Sequence, residues 1–444
     1  MTEEAREMDN SAYFEVVKET VKQFENIMNV SLKGRVKDSV KKAMGRSVRT
    51  KDPLFWPAGM LMLGLVNAAE YLDALSEIEA LGNDCAEAKK LLSEIDRVME
   101  QHVDTWFYKY KGKIEYVDDA LAGYCFLKMY ERTENQKFLV PAKHICNFIL
   151  HYPRDNEGSV IYNASRGGKI IFADGVGQVS MFTSEYRKCK VPEDTRPEQS
   201  MTGDVVNSLA NAFGGVLDKV IGEAEAIPSL EELEEALLRN YYKFGRDEKS
   251  GLIYHGYELG DARRLVPDGL NRKEEYASNK KGLMCWGRAF GWLMMGLSNV
   301  AGGGLGDNGA SGANNNTGAS NADAALWFKE LSGAAIDYQR PDGGWSWQLQ
   351  AIDGHIDMSA TGMIAYSLAM GARNGILPAS KTKEVIEKAA VCMSEHIKKG
   401  AVVDALSSCD DFGVHYQTYG SYPWGQGAVL AALSVSKFIY LQQM

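Results

Sequence analysis

Six stretches of this chain are apolar almost all the way round a helix. They begin near residues 57, 119, 174, 286, 358 and 424. Amphipathic stretches lie between them, at about 84–107, 135–150, 229–242, 322–338 and 381–398, and the segment 12–28 supplies a sixth. A helix that is apolar on every side belongs in an interior, and a striped one faces water. Strict alternation of the two kinds is what a ring of inner helices inside a ring of outer ones requires. The expected fold is therefore all-α: an (α/α)6 barrel, a toroid of six inner and six outer helices. All inner helices would point the same way, so their N-termini, with their partial positive charge, would gather at one mouth. Runs such as I170-I-F and W345-S-W are too short for a sheet core. An open helical-repeat solenoid is the alternative, but it calls for a tighter period than these irregular spacings give.

The 444 residues are read as one α/α-barrel domain, 1–444, with an N-terminal arm at 1–50. Two segments fall outside the alternation: an insertion at 188–228, with a helix expected over 205–220, and a Gly/Asn/Ser-rich loop at 301–321, placed away from the mouth. A formal charge of −10 argues against a nucleic-acid partner. Apolar runs are interrupted before the length of a membrane span, and M1-T-E-E-A-R-E has no secretory h-region, so a cytoplasmic location is expected. Seven scattered cysteines without a C-x-x-C pair read as buried thiols in a reducing compartment. No H-E-x-x-H motif, nucleotide fingerprint or compact Cys/His cluster is present, so neither metal nor cofactor is expected. The oligomeric state is not legible.

Candidate chemistry concentrates where polar segments open into apolar helices. In H151-Y-P-R-D-N-E-G followed by F172-A-D-G175, Asp174 stands at the start of the third inner helix. Capping orphan N–H groups is the commoner use of an Asp there. D118-D119 opens the second inner helix and leaves open which of the two would be functional. In W286-G-R-A-F-G-W292, Arg288 and Trp292 share a helical face, so Trp286 has to reach the mouth from the helix start. An Arg fork suits a carboxylate, with a surface salt bridge as the plain alternative, and Trp faces suit the C–H side of a sugar ring. His255, read as lying in a loop, is a candidate hydrogen-bonding group. Trp56, Phe172, Trp345 and His415 complete the set, the last two in aromatic connections that could instead seal the barrel rim.

With these residues in view, the sequence resembles the unsaturated uronyl hydrolases, the rhamnogalacturonyl and glucuronyl hydrolases of glycoside hydrolase families 105 and 88. The likeness runs from about Trp56 to Leu433 and is carried by the segments above together with L252-I-Y-H-G-Y257 and S359-A-T-G-M363. It looks closer to the rhamnogalacturonyl branch. The resemblance implies an enzyme that removes the 4,5-unsaturated uronic acid left by a polysaccharide lyase at a non-reducing end. Its partner would be such an oligosaccharide. It implies Asp174 as the catalytic carboxyl, Asp118 as the second carboxylate, and His255, Trp286, Arg288 and Trp292 as substrate contacts. The chain departs from the pattern at Phe172, where Trp is usual, at Val160-Ile161-Tyr162, where an aromatic followed by His is usual, and at Asp357, where Glu is usual.

The chemistry suits these residues. The C4=C5 bond of such a sugar is a vinyl ether. An acid that protonates C4 creates positive character at C5, water adds there, and the resulting hemiketal opens and expels the aglycone. The acid has to be kept protonated by burial or a like-charged neighbour, and Asp118 could supply the second effect. Two other readings predict different behaviour. A glycosidase acting on saturated glycans by inversion would set its two carboxyls about 6.5–9.5 Å apart. A non-enzymatic carbohydrate-binding protein would keep the apolar rim but turn over no glycan.

Overall fold

The structure, a computed structural model, describes residues 8–27, 53–164, 167–189, 191, 228–268, 271–303, 319–409 and 417–443. Among the described residues, twelve α-helices alternate between two layers. The outer helices are α1 (Asn10–Ile27), α3 (Asn83–Asp104), α5 (Leu139–His151), α7 (Leu230–Phe244), α9 (Ala319–Asp337) and α11 (Ala379–Glu395). The inner helices are α2 (Trp56–Ser76), α4 (Asp119–Thr133), α6 (Ala173–Lys188), α8 (Gly287–Gly303), α10 (Met358–Arg373) and α12 (Pro423–Gln443). Each inner helix packs on the next, α2 on α4, α4 on α6 and so on, until α12 returns to α2 and closes the ring. The fold is an (α/α)6 barrel, as the alternation predicts.

Burial explains the layering. Met60, Leu61, Met62 and Leu63 follow one another along α2 and are all fully buried, as expected where neighbours cover every side. Outer α3 buries Cys85, Ala88, Leu91, Ile95, Val98 and His102, a stripe at helical spacing. By length and composition α2 could cross a bilayer, against the reading of its apolar run as too short. Here it is enclosed by α1, α3, α4 and α12. Glycines let the inner helices approach closely. A Cβ on Gly427 of α12 would lie 1.9 Å from the Met60 carbonyl oxygen, and one on Gly177 of α6 would lie 2.1 Å from that of Trp292. Pro57 sits in the first turn of α2, where its missing N–H leaves no bond unmade.

One feature overturns the expectation of a sheet-free chain. β1 (Ile170–Phe172), β2 (Tyr254–Asp268) and β3 (Asn271–Met284) form an antiparallel three-stranded sheet in the order β1-β2-β3. His255 is therefore on a strand and not in a loop. Two short pairs, β4 (Ile397–Lys398) with β5 (Ala401–Val402) and β6 (Ala405–Leu406) with β7 (Tyr419–Gly420), fasten the approach to α12. The helix expected over 205–220, most of the 188–228 insertion and the 301–321 loop, and residues 28–50 of the arm lie outside the described residues.

Candidate functional site

The N-terminal ends of five inner helices open onto one cavity of about 350 Å³, within the usual range for a small-molecule site. Phe55, Trp56 and Pro57 come from the start of α2. Tyr116, Val117 and Asp118 come from the start of α4, and Phe172, Asp174 and Gln178 from α6 and its approach. Trp286, Arg288 and Trp292 come from α8 and Trp424 from α12, with Tyr162, Asn163, His255, Ser408 and Cys409 completing the wall. Eight of the ten sequence candidates therefore meet in one place: Trp56, Asp118, Phe172, Asp174, His255, Trp286, Arg288 and Trp292.

Asp174 sits in the first turn of α6, but the cap position belongs to Phe172, and no side chain caps this end. Instead, Asp174 Oδ2 hydrogen-bonds His255 Nε2 at 2.9 Å. The sheet delivers that partner. β1 leads directly into α6, and β2 pairs beside it with Phe172 opposite Gly256. The β2–β3 register slips between Tyr254 and Gly256, so that Gly282 and Leu283 of β3 stand opposite the single His255. Such a bulge re-aims a side chain. Gly282 has a φ of +73°, and a Cβ there would lie 2.7 Å from the His255 Cβ. The imidazole is wedged between the Phe172 ring at 4.9 Å and the Trp286 ring at 4.5 Å. Tyr241 OH donates to the Tyr254 and His255 carbonyls and holds the strand from behind.

Asp118 and Asp119 part company. Asp119 is fully buried, and its Oδ2 accepts from the Glu115 and Tyr116 N–H groups, fastening the turn before α4. Asp118 lines the cavity. Its Oδ2 accepts from Tyr162 OH at 2.8 Å and its Oδ1 from Gln178 Nε2 at 3.1 Å. Neither oxygen caps α4.

Arg288 is only 2 % exposed, which removes the surface salt bridge as its role. Its guanidinium lies 4.7, 5.7 and 6.0 Å from the rings of Trp286, Trp424 and Trp56. Nη1 donates to Ser359 Oγ and the Leu406 carbonyl, and Nη2 to the Ser407 carbonyl. Burial pulls its pKa below the ordinary value, opposed by the charges of Asp357 and Asp174. Asp357 stands behind it, fully buried, and caps α10 through the Ser359 N–H while also accepting from the Leu406 N–H. The cavity wall at 405–408 is thus bound to the helix entrances by one connected set of hydrogen bonds.

One expected residue stands apart from the site. Trp345 is fully buried, with its Nε1 donating to the Ala335 carbonyl of α9 and its backbone N–H to Thr361 of α10. It seals the packing between those helices and does not reach the cavity. His415 lies outside the described residues. In the other direction, sequence reading did not single out Tyr162, Gln178 or Trp424 as site residues. Gln178 carried a usable signal, since it lies four residues after Asp174 and so shares its helical face. Among the described residues, no cluster of three or more His, Cys, Asp or Glu side chains could hold a metal ion.

Comparison with known proteins agrees with this fold. No curated protein sequence matches the chain. A crystal structure from Salmonella enterica serovar Paratyphi A, described as a possible member of glycoside hydrolase family 105, has a TM-score of 0.66 at 15% identity, covering 99% of this chain and 97% of that one. One from Klebsiella pneumoniae with the same description has a TM-score of 0.63 at 15% identity, covering 99% and 95%. An unsaturated glucuronyl hydrolase from Bacillus sp. GL1 has a TM-score of 0.53 at 13% identity, covering 95% and 94%. The chain thus has the fold of these structures, and over residues 219–438 it matches the model of Glycosyl Hydrolase Family 88.

Proposed function

We propose that this protein is a hydrolase that releases 4,5-unsaturated uronic acid, of the rhamnogalacturonyl type, from the non-reducing end of lyase-generated oligosaccharides. One observation carries the reading: two carboxyls on different helices, Asp174 and Asp118, open onto a single aromatic-walled cavity that also contains a buried Arg. The family 88 match over the second half supports it, and so do solved structures of this fold described as unsaturated glucuronyl hydrolases.

In this reading Asp174 gives its proton to C4 of the bound sugar. Positive character then develops at C5 and the ring oxygen, and water attacks C5. Asp174 takes a proton back from that water, the hemiketal opens, and the aglycone leaves as an alcohol. The hydrogen bond to His255 fixes the orientation of the Asp174 carboxyl toward the cavity. Proton transfer from a group held in this way contributes roughly 10²–10⁴-fold. Trp286, Trp292, Trp56 and Trp424 offer flat faces to the ring, while Arg288 and the gathered helix N-termini supply the positive field a uronate requires.

The test is to incubate the protein with unsaturated pectic and glycosaminoglycan disaccharides and follow the ultraviolet absorbance of the conjugated double bond. Wild type should bleach the signal and Asp174→Asn should not, with a loss of at least about 10²-fold. Release of sugar from saturated glycans, with no bleaching of any unsaturated one, would overturn the proposal in favour of an ordinary glycosidase.

A further inference from the structure

We propose that Tyr162 and Gln178 are positioning residues that clamp Asp118 as a carboxylate. The clamp makes Asp118 a fixed acceptor for a water or sugar hydroxyl and leaves proton donation to Asp174. This inference rests on the hydrolase reading above for its catalytic consequence, though the clamp itself does not.

The geometry is specific. Tyr162 OH donates to one Asp118 oxygen at 2.8 Å and the Gln178 amide to the other at 3.1 Å. Both donors are neutral, and both come from outside the helix that carries Asp118. A carboxylate offers about four acceptor sites, and these two donors take one on each oxygen. Hydrogen bonds to the charged form favour the anion. The surroundings are built around the phenol. The Tyr162 N–H donates to the Ile170 carbonyl at 3.0 Å, which ties its loop to β1. Its ring stands edge-on to Phe172 at 5.2 Å and 87°. At position 175 only a glycine leaves room, since a Cβ there would come within 2.9 Å of the Tyr162 ring. Gln178 is held on the same face as Asp174, so the helix that presents the proposed acid also orients its neighbour. Among the described residues, the other charged or titratable groups on the same cavity are Tyr116 before α4, Asp174 on α6, His255 on β2, Arg288 on α8 and Cys409, and Asp119 follows Asp118 at the start of α4.

The tests are Tyr162→Phe and Gln178→Glu, the second replacing a donor with an acceptor that faces a like charge. Each is made alone and in an Asp118→Asn background. Turnover of an unsaturated uronide by Tyr162→Phe should fall roughly tenfold to hundredfold, mainly in kcat, as expected for loss of a hydrogen bond to a charged group. In the Asp118→Asn background the same substitution should change turnover by less than about threefold, because its effect runs through Asp118. An equal loss in both backgrounds overturns the clamp. A readout independent of turnover uses protein labelled at the Asp Cγ carbon, with the Asp118 resonance identified by its absence in Asp118→Asn. Its titration midpoint should move to higher pH in both variants, and a resonance that does not move in either overturns the inference. A wild type that turns over no unsaturated uronide removes the proposed reaction, and the Asp118 titration then decides the clamp on its own.

Discussion

His102 shows how one buried side chain makes the stability of this protein depend on pH. It lies under Phe24, with its Nε2–H donating to the Pro53 carbonyl, and burial holds its pKa down at about 4. In the unfolded chain it titrates near its ordinary 6.5. As pH falls below 6.5 the unfolded state takes up a proton that the folded state refuses, so stability is lost progressively until the folded pKa is reached. The full loss is about 3 kcal/mol at pH 4. Denaturant titrations at pH 7.5 and pH 4.5 should show this slope in wild type and its absence in His102→Gln. Glu234 acts in the opposite sense. Burial raises its carboxyl to about 7, against the pull of Arg187 and Thr183, so its term falls as pH rises from its unfolded value toward 7. Comparing wild type with the His102 variant cancels that second term.

At the scale of the element, the β2–β3 hairpin is what places the imidazole against Asp174. Gly282→Ala forces a Cβ to within 2.7 Å of the His255 Cβ at a backbone position with φ of +73°. Activity on an unsaturated uronide should fall at least about tenfold, while the thermal midpoint moves only a few degrees. An active enzyme with an unshifted His255 would mean the bulge does not aim the ring. This is also the element that sequence reading missed, and the reason is physical. Residues 260–281 run G-D-A-R-R-L-V-P-D and then N-R-K-E-E-Y-A-S-N-K-K, with no apolar face to generate a period of two. The inner helices were legible because each buries all its sides. Their observed starts at Trp56, Asp119, Ala173, Gly287, Met358 and Pro423 fall within a residue of the expected ones. Trp345 misled because a Pro/Gly turn with aromatics looks the same whether its ring faces a mouth or a helix seam. Asp118 and Asp119 were equivalent on paper, and only the third dimension shows which one faces the cavity.

For the molecule as a whole, the ring of six is the unit that holds the site. Its closing seam is α12 on α2, where Gly64 lies against the Gly427 backbone and Gly427 against the Met60 carbonyl. Gly427→Ala would drive a methyl group into the Met60 carbonyl, and overpacking of this kind typically costs about 1–3 kcal/mol. Urea unfolding should keep a single transition with a lower midpoint and an unchanged slope. A variant as stable as wild type would mean the seam can open without disturbing the ring.

That seam also sets when, during synthesis, a working molecule first exists. The cavity wall draws on side chains from Phe55 to Trp424, and α12 packs between the inner helices α10 and α2. A nascent chain can stack α2 through α10 as an arc with one apolar flank left uncovered. Translation at about 5–20 residues per second leaves that flank bare for roughly 4–14 seconds while the chain from Arg373 to Gln443 is made. Only when Trp424 and the helix behind it emerge can the arc become a circle. Until then the ribosome carries a sticky crescent, for which binding by a chaperone and pairing with another crescent are competing fates.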